Sequence, residues 1–127
     1  MLETPPLRTL LLENGISLRF YDAGNRYFGD FHRVLIVVEG VVDMGTAALS
    51  EQQRAALAAL PDPVLFRRDL ERMGVTSERL RATACELIDS FLASARGYLE
   101  RPDMPGRLLE KRLADKKRRR SLPGRHR

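Results

Sequence analysis

The stretch Val64-Leu65-Phe66-Arg67-Arg68-Asp69-Leu70-Glu71-Arg72-Met73 has two readings, and the fold turns on which is taken. As a helix, Asp62 caps it, Pro63 takes the first position, Phe66, Leu70 and Met73 align, and Gly74 terminates it. As a strand, Val64, Phe66 and Leu70 share a face that Arg68 interrupts. Local signals lean slightly to the helix. The need for a third strand beside the two upstream leans the other way, and tertiary context often overrides propensity.

Those two strands are clearer. Ile16, Leu18 and Phe20 alternate with Ser17, Arg19 and Tyr21, the pattern of a half-buried strand over 16–22 that follows the turn pair Asn14-Gly15. Residues 23–30, A-G-N-R-Y-F-G-D, should reverse the chain. The second strand covers 31–44. Val34, Ile36, Val38, Val42 and Met44 share one face with Gly40, and Leu35, Val37 and Val41 the other. Apolar on both sides, it reads as a central strand or one covered on its second face, with Gly40 marking a bulge or bend. A two-stranded hairpin is marginal in water, so it needs a third strand and a helix. Met1 to Arg8, with Pro5-Pro6, reads as an extended leader, and Leu10-Leu11-Leu12 is too short to assign.

Downstream, Ser77 to Arg101 carries the strongest periodicity. Leu80, Ala84, Leu87, Phe91, Ala95 and Tyr98 recur at steps of three and four, widened by Ile88, Leu92 and Leu99. Thr76 or Ser77 can cap the start, Glu78 suits the first turn, and Pro102 stops the end. Such a helix spans roughly 36 Å at 1.5 Å per residue, about the width of a small domain. It serves either its own core or a partner chain. Between the strands and the ambiguous stretch, Ser50-Glu51-Gln52-Gln53 has capping-box form before R-A-A-L-A-A-L, a short helix or an alanine-rich connection.

The 127 residues, 43% apolar, suit one core-forming domain and not global disorder. No run has the length or apolarity of a membrane span, and the N-terminus lacks the pattern of a secretion signal. Cys85 is the sole cysteine, so no internal disulfide and no cysteine metal cluster can form, and its place near the apolar stripe reads as a small buried side chain. These features point to a cytoplasmic setting.

The segment Asn14 to Val34 resembles the opening of a family of small uncharacterised bacterial proteins: a strand ending Tyr21-Asp22, an arginine-containing turn, then Gly29-Asp30 and a second strand. The resemblance extends over about residues 14–105, with Glu71-Arg72 ending a strand and Tyr98-Leu99 ending a long helix. It implies strand for 64–72. It implies no activity, substrate or site.

Chemistry has few places to reside. Asp22, Asn25, Arg26, Asp30 and His32 form the densest polar cluster, at the hairpin tip. Two carboxylates and a histidine can support acid–base work or a metal, and they can equally serve turn chemistry by binding nearby backbone. No phosphate loop, nucleophile elbow, zinc motif or dinucleotide fingerprint occurs, so neither catalytic residues, cofactor nor metal is expected. The charge is uneven. Residues 106–127 hold ten Lys/Arg (Arg107, Lys111, Arg112, Lys116, Lys117, Arg118, Arg119, Arg120, Arg125, Arg127) against two acids, a net of +8. The other 105 residues hold twelve basic and fifteen acidic ones, a net of −3. The positive charge therefore belongs to a tail and not to a binding face of the fold.

The expectation is a small α+β domain over 1–105, a short antiparallel sheet of about three strands with one long amphipathic helix packed on it. A basic tail, disordered or partly helical, follows over 106–127 and contacts RNA or DNA without sequence preference. The same tail could meet an anionic membrane surface, an acidic protein, or only solvent. A small enzyme or ligand-binding domain using the hairpin tip, and an oligomeric structural protein, are the alternatives.

Overall fold

The computed structural model of the chain describes residues 5–42 and 49–120, with side chains through Asp115. It is an α+β fold. Strands β1 (Arg8–Leu11), β2 (Ile16–Asp22), β3 (Asn25–Phe28) and β4 (Phe31–Val42) precede α1 (Glu51–Ala58). Strand β5 (Val64–Thr76), a 3-10 turn (Ser77–Arg79), α2 (Leu80–Leu99) and α3 (Met104–Arg120) complete it.

All strands pair antiparallel, and β4 is the hub. It pairs with β2 and β3 along one edge and with β5 along the other, while β1 extends the sheet beyond β2. The stretch 64–73 is strand, as the need for a further strand required. Its local helix signals lose because β5 completes β4's second row of hydrogen bonds. Gly40 sits opposite Phe66 where the β4–β5 register slips, and a Cβ there would lie 3.2 Å from the Phe66 Cβ.

The sheet has five strands where about three were expected, and the one long helix expected is joined by two others: α1, which takes the helical of the two readings after Ser50, and α3, at the start of the expected tail. Residues 23–30 do not simply reverse the chain. Strand β2 breaks only at Ala23-Gly24, where the Ala23 N–H still donates to the Leu35 carbonyl, and the path resumes as β3 on the same edge of β4. Gly24 permits this: a Cβ there would lie 2.3 Å from the Arg33 carbonyl oxygen. Reversal comes at Gly29-Asp30, with Gly29 at φ 54°. Strand β1, unassigned from sequence, forms because Thr9 to Leu11 find partners in Arg19, Leu18 and Ser17. The final two residues of the expected 31–44 strand lie outside the described residues.

One main core joins Leu18, Phe20, Val34, Ile36 and Val38 of the sheet to the helices. The Phe91 ring of α2 meets Phe20 edge-on at a centroid distance of 6.1 Å. The capping box is formed: Ser50 and Gln53 exchange side-chain-to-backbone hydrogen bonds at the start of α1. Along α2, Leu80, Ala84, Leu87, Ile88, Phe91, Leu92, Ala95 and Leu99 face or flank the core, and Thr83 is buried with them. Tyr98 is exposed, because the buried stripe passes through Leu99 instead. Cys85 is exposed as well, not buried as its sequence position led one to expect, since it sits one position off that stripe.

Neither end of α2 is capped from within. No Thr76 or Ser77 side chain caps the start. The Ser77 N–H donates instead to Asp30 Oδ2 at 3.2 Å, across the sheet from the β3–β4 turn. At the other end Asn14 Nδ2 donates to the Leu99 and Arg101 carbonyls at 2.8 and 2.7 Å, and Asn14 Oδ1 accepts from the Ile16 N–H at 3.1 Å. The β1–β2 turn thus satisfies the Leu99 carbonyl that the helix end leaves free, and shares the Arg101 carbonyl with the Met104 N–H.

The expected tail boundary at 106 falls inside α3. Met104, Leu108 and Leu109 are buried in the main core, with Leu109 fully so. Arg112 Nη1 donates to the Asp62 and Val64 carbonyls at 2.9 and 2.6 Å, tying α3 to the start of β5. The backbone of the cationic run continues this helix to Arg120. An anchored first half supplies the nucleus that a free run of like charges lacks, and cations suit a helix C-terminus.

Two substitutions check these contacts by urea denaturation. Leu109→Ala should cost about 2–5 kcal/mol, the range for a buried leucine truncated to alanine. Were 104–115 a mere appendage, the loss would be near zero. Asn14→Ala should cost about 0.5–1.5 kcal/mol by removing the hydrogen bonds to the Leu99 and Arg101 carbonyls.

Candidate functional site

The five predicted residues of the hairpin tip separate into three settings. Asp22 ends β2, and its Oδ1 accepts the Gly24 N–H at 2.9 Å, an Asx-type turn that stabilises the break between β2 and β3. Asn25 and Arg26 open β3 opposite Arg33 and His32 of β4. Asp30 sits in the turn at the far end of the hairpin, and His32 points back toward it, with Nε2 3.8 Å from Asp30 Oδ1.

Asp30 is committed to α2. The Ser77 hydroxyl and then the Ser77 backbone N–H hold its carboxyl below the ordinary value of about 3.8, with the nearby His32 acting in the same direction. A carboxylate so held is a poor proton donor or acceptor near neutral pH.

Asp22, Asn25 and His32 do line a common space, a pocket of about 110 Å³ that also touches Arg33, Leu80 and Ala84. Asp22, Leu80 and Ala84 are shared with a larger groove of about 420 Å³ running along the first half of α2. The groove adds Leu7 and Arg8 from the start of the sheet and Arg81, Cys85 and Ile88 from α2. Sequence reasoning missed Arg8 and Arg81. No local signal links them, because only the packing of α2 on the sheet brings them to one space. Arg26 and Asp30 do not line either space. Among the described residues no group of three or more His, Cys, Asp or Glu is placed to hold a metal ion.

The predicted polyanion-binding residues divide as well. Arg107 pairs with Asp103 at 3.4 Å one turn earlier, and Arg112 is spent on the carbonyls of 62 and 64. Lys111 is exposed on α3. Lys116 to Arg120 occupy the last turn and a half of the α3 backbone, beyond Leu113, which still packs on the core. Arg125 and Arg127 lie outside the described residues. No helix is long and apolar enough to cross a membrane among the described residues.

No family model, curated protein or solved structure matches the chain.

The Asp30 cap has a definite pH signature. A carboxyl with a lowered folded pKa adds stability in full above its unfolded value of about 3.9 and loses it as pH falls through the lower folded value. The stability gap between the wild type and Asp30→Asn, measured by urea denaturation, should be constant near neutral pH and close as pH falls below about 4. A gap that stays constant into acid would show that the charge of Asp30 is not what holds the helix start.

Proposed function

We propose that the protein is a non-catalytic binding protein that makes nonspecific contact with nucleic acid through the cationic end of α3. The observation that carries this reading is the union of two features in one element. The first part of α3 is bound to the body by Leu108, Leu109 and Arg112, and its last five residues are the run Lys116-Lys117-Arg118-Arg119-Arg120. A helix held at its root presents charge with less ordering cost than a loose tail, and releases counterions when it meets phosphates. The alternating signs of the rest of the chain, net −3 outside 106–127, direct a polyanion to that end and away from the sheet.

Base reading is not part of this function. No Phe, Tyr or Trp occurs after Tyr98, so the α3 end lacks the large aromatic platforms on which bases stack. Nonspecific contact with RNA and duplex DNA, governed by salt, is the expected behaviour.

The clean comparison is between the full chain and a variant with residues 116–120 all changed to Gln. A truncation after residue 105 would remove Leu108 and Leu109 and so disturb the core as well as the charge. The full chain should bind generic duplex DNA and RNA at low salt. If all five cations engage phosphates, the slope of log K against log salt is about −4 to −5 for the duplex. The glutamine variant should keep the wild-type melting temperature and lose most of that slope. Binding that is absent at low salt, or unchanged in the variant, would overturn the reading.

A further inference from the structure

The groove along α2 has the build of a ligand site separate from the α3 end. Its volume of about 420 Å³ falls in the range of small-molecule sites, roughly 300–1,000 Å³, whereas the adjoining pocket of about 110 Å³ is too small to be one alone. The floor is aliphatic: Leu7 from the strand entry, and Leu80, Ala84 and Ile88 at steps of four along α2. No aromatic ring lines it, so a nucleobase or other planar ligand would find nothing to stack on. An extended alkyl chain fits the row that Leu80, Ala84 and Ile88 make.

The charge of the rim is opposite to that of its surroundings. Outside 106–127 the chain carries −3, yet the groove and its adjoining pocket are lined by Arg8, Arg33 and Arg81 against Asp22 alone among acids. Three of these four are already engaged. Arg8 pairs with Asp89 at 3.3 Å, Arg33 pairs with Glu71, and Asp22 accepts the Gly24 N–H. Arg81 has no hydrogen-bond or ion-pair partner among the described residues, and it stands beside the aliphatic floor. A guanidinium with unused donors prefers a carboxylate, which it can meet with two parallel hydrogen bonds.

We propose that this groove binds an aliphatic carboxylate, its chain along Leu80, Ala84 and Ile88 and its carboxylate at Arg81. Apolar burial supplies the affinity, which grows about fourfold with each further methylene buried. Arg81 sets the sign of the head group.

Cys85 makes the groove measurable. It is the sole cysteine of the chain, it is exposed, and it lies on the groove wall. A ligand lying along α2 should cover its sulfur. The experiment follows the rate of Cys85 alkylation by N-ethylmaleimide in the full-length protein, with decanoate, decanol or decylamine added below its micelle-forming concentration. Decanoate should slow alkylation at least tenfold at saturation, decanol should protect only at higher concentration, and decylamine should not protect. Arg81→Glu changes an exposed side chain and should keep the wild-type melting temperature while losing decanoate protection. No slowing by decanoate would overturn the proposal. Equal protection by all three amphiphiles, or decanoate protection retained in Arg81→Glu, would overturn it too.

Discussion

Helix α2 is held at both ends by side chains that belong to the sheet. Asp30, from the β3–β4 turn, accepts the Ser77 N–H at the start, and Asn14, from the β1–β2 turn, donates to the Leu99 and Arg101 carbonyls at the end. Each bond satisfies a backbone group that a helix cannot satisfy itself. Together they fix the length, position and direction of the helix on the sheet. Between them Ile88, Phe91 and Leu99 fall onto Phe20, Val34, Ile36 and Val38. Caps alone would not hold the helix, because most helical stability comes from its buried face.

The same arrangement opens the groove. The first half of α2 lies near the start of β1 and the end of β2, where the strand path breaks at Ala23-Gly24. Leu7, Arg8 and Asp22 therefore approach Leu80, Arg81 and Ala84 without filling the space between them.

Strand β5 separates the two ends of the molecule. Its 13 residues span roughly 40 Å at 3.3 Å each. Its first residue receives Arg112 from α3, and its last leads into the 3-10 turn capped by Asp30. Helix α3, through Arg112, and the hairpin tip are thus attached at opposite ends of one strand. The other face of the sheet is different in kind. There Tyr21, Leu35 and Val37 form a small cluster of their own, beside a cross-strand row of Arg19, Glu39 and Arg67. Leu57 of α1, Ile88, Phe91 and Leu99 of α2, and Met104, Leu108 and Leu109 of α3 belong to the main core instead. Long charged side chains shield such a face by laying their stems over it.

What the residues alone determined is local. Alternation in Ile16 to Asp22 and the two-sided apolar run of Val34 to Val38 specify strands, because side chains alternate across a pleat. The steps of three and four from Leu80 to Leu99 specify α2, whereas Ser50 with Gln53 offered the start of α1 only as one of two readings. The density of Asp22, Asn25, Arg26, Asp30 and His32 was legible too, but not its division into a turn, a helix cap and a pocket wall. Those roles depend on partners such as Ser77, far along the chain. Only the tertiary structure decided that 64–73 is a strand, since the winning interaction is β4's open edge and not any propensity within the segment. It alone brought Arg8 beside Arg81, and it alone drew Leu108 and Leu109 into the core. A short apolar pair in a basic stretch carries no sign of its own fate. Burial is a property of the surface it meets, and that surface is assembled from strands and helices a hundred residues of chain do not place side by side until they fold.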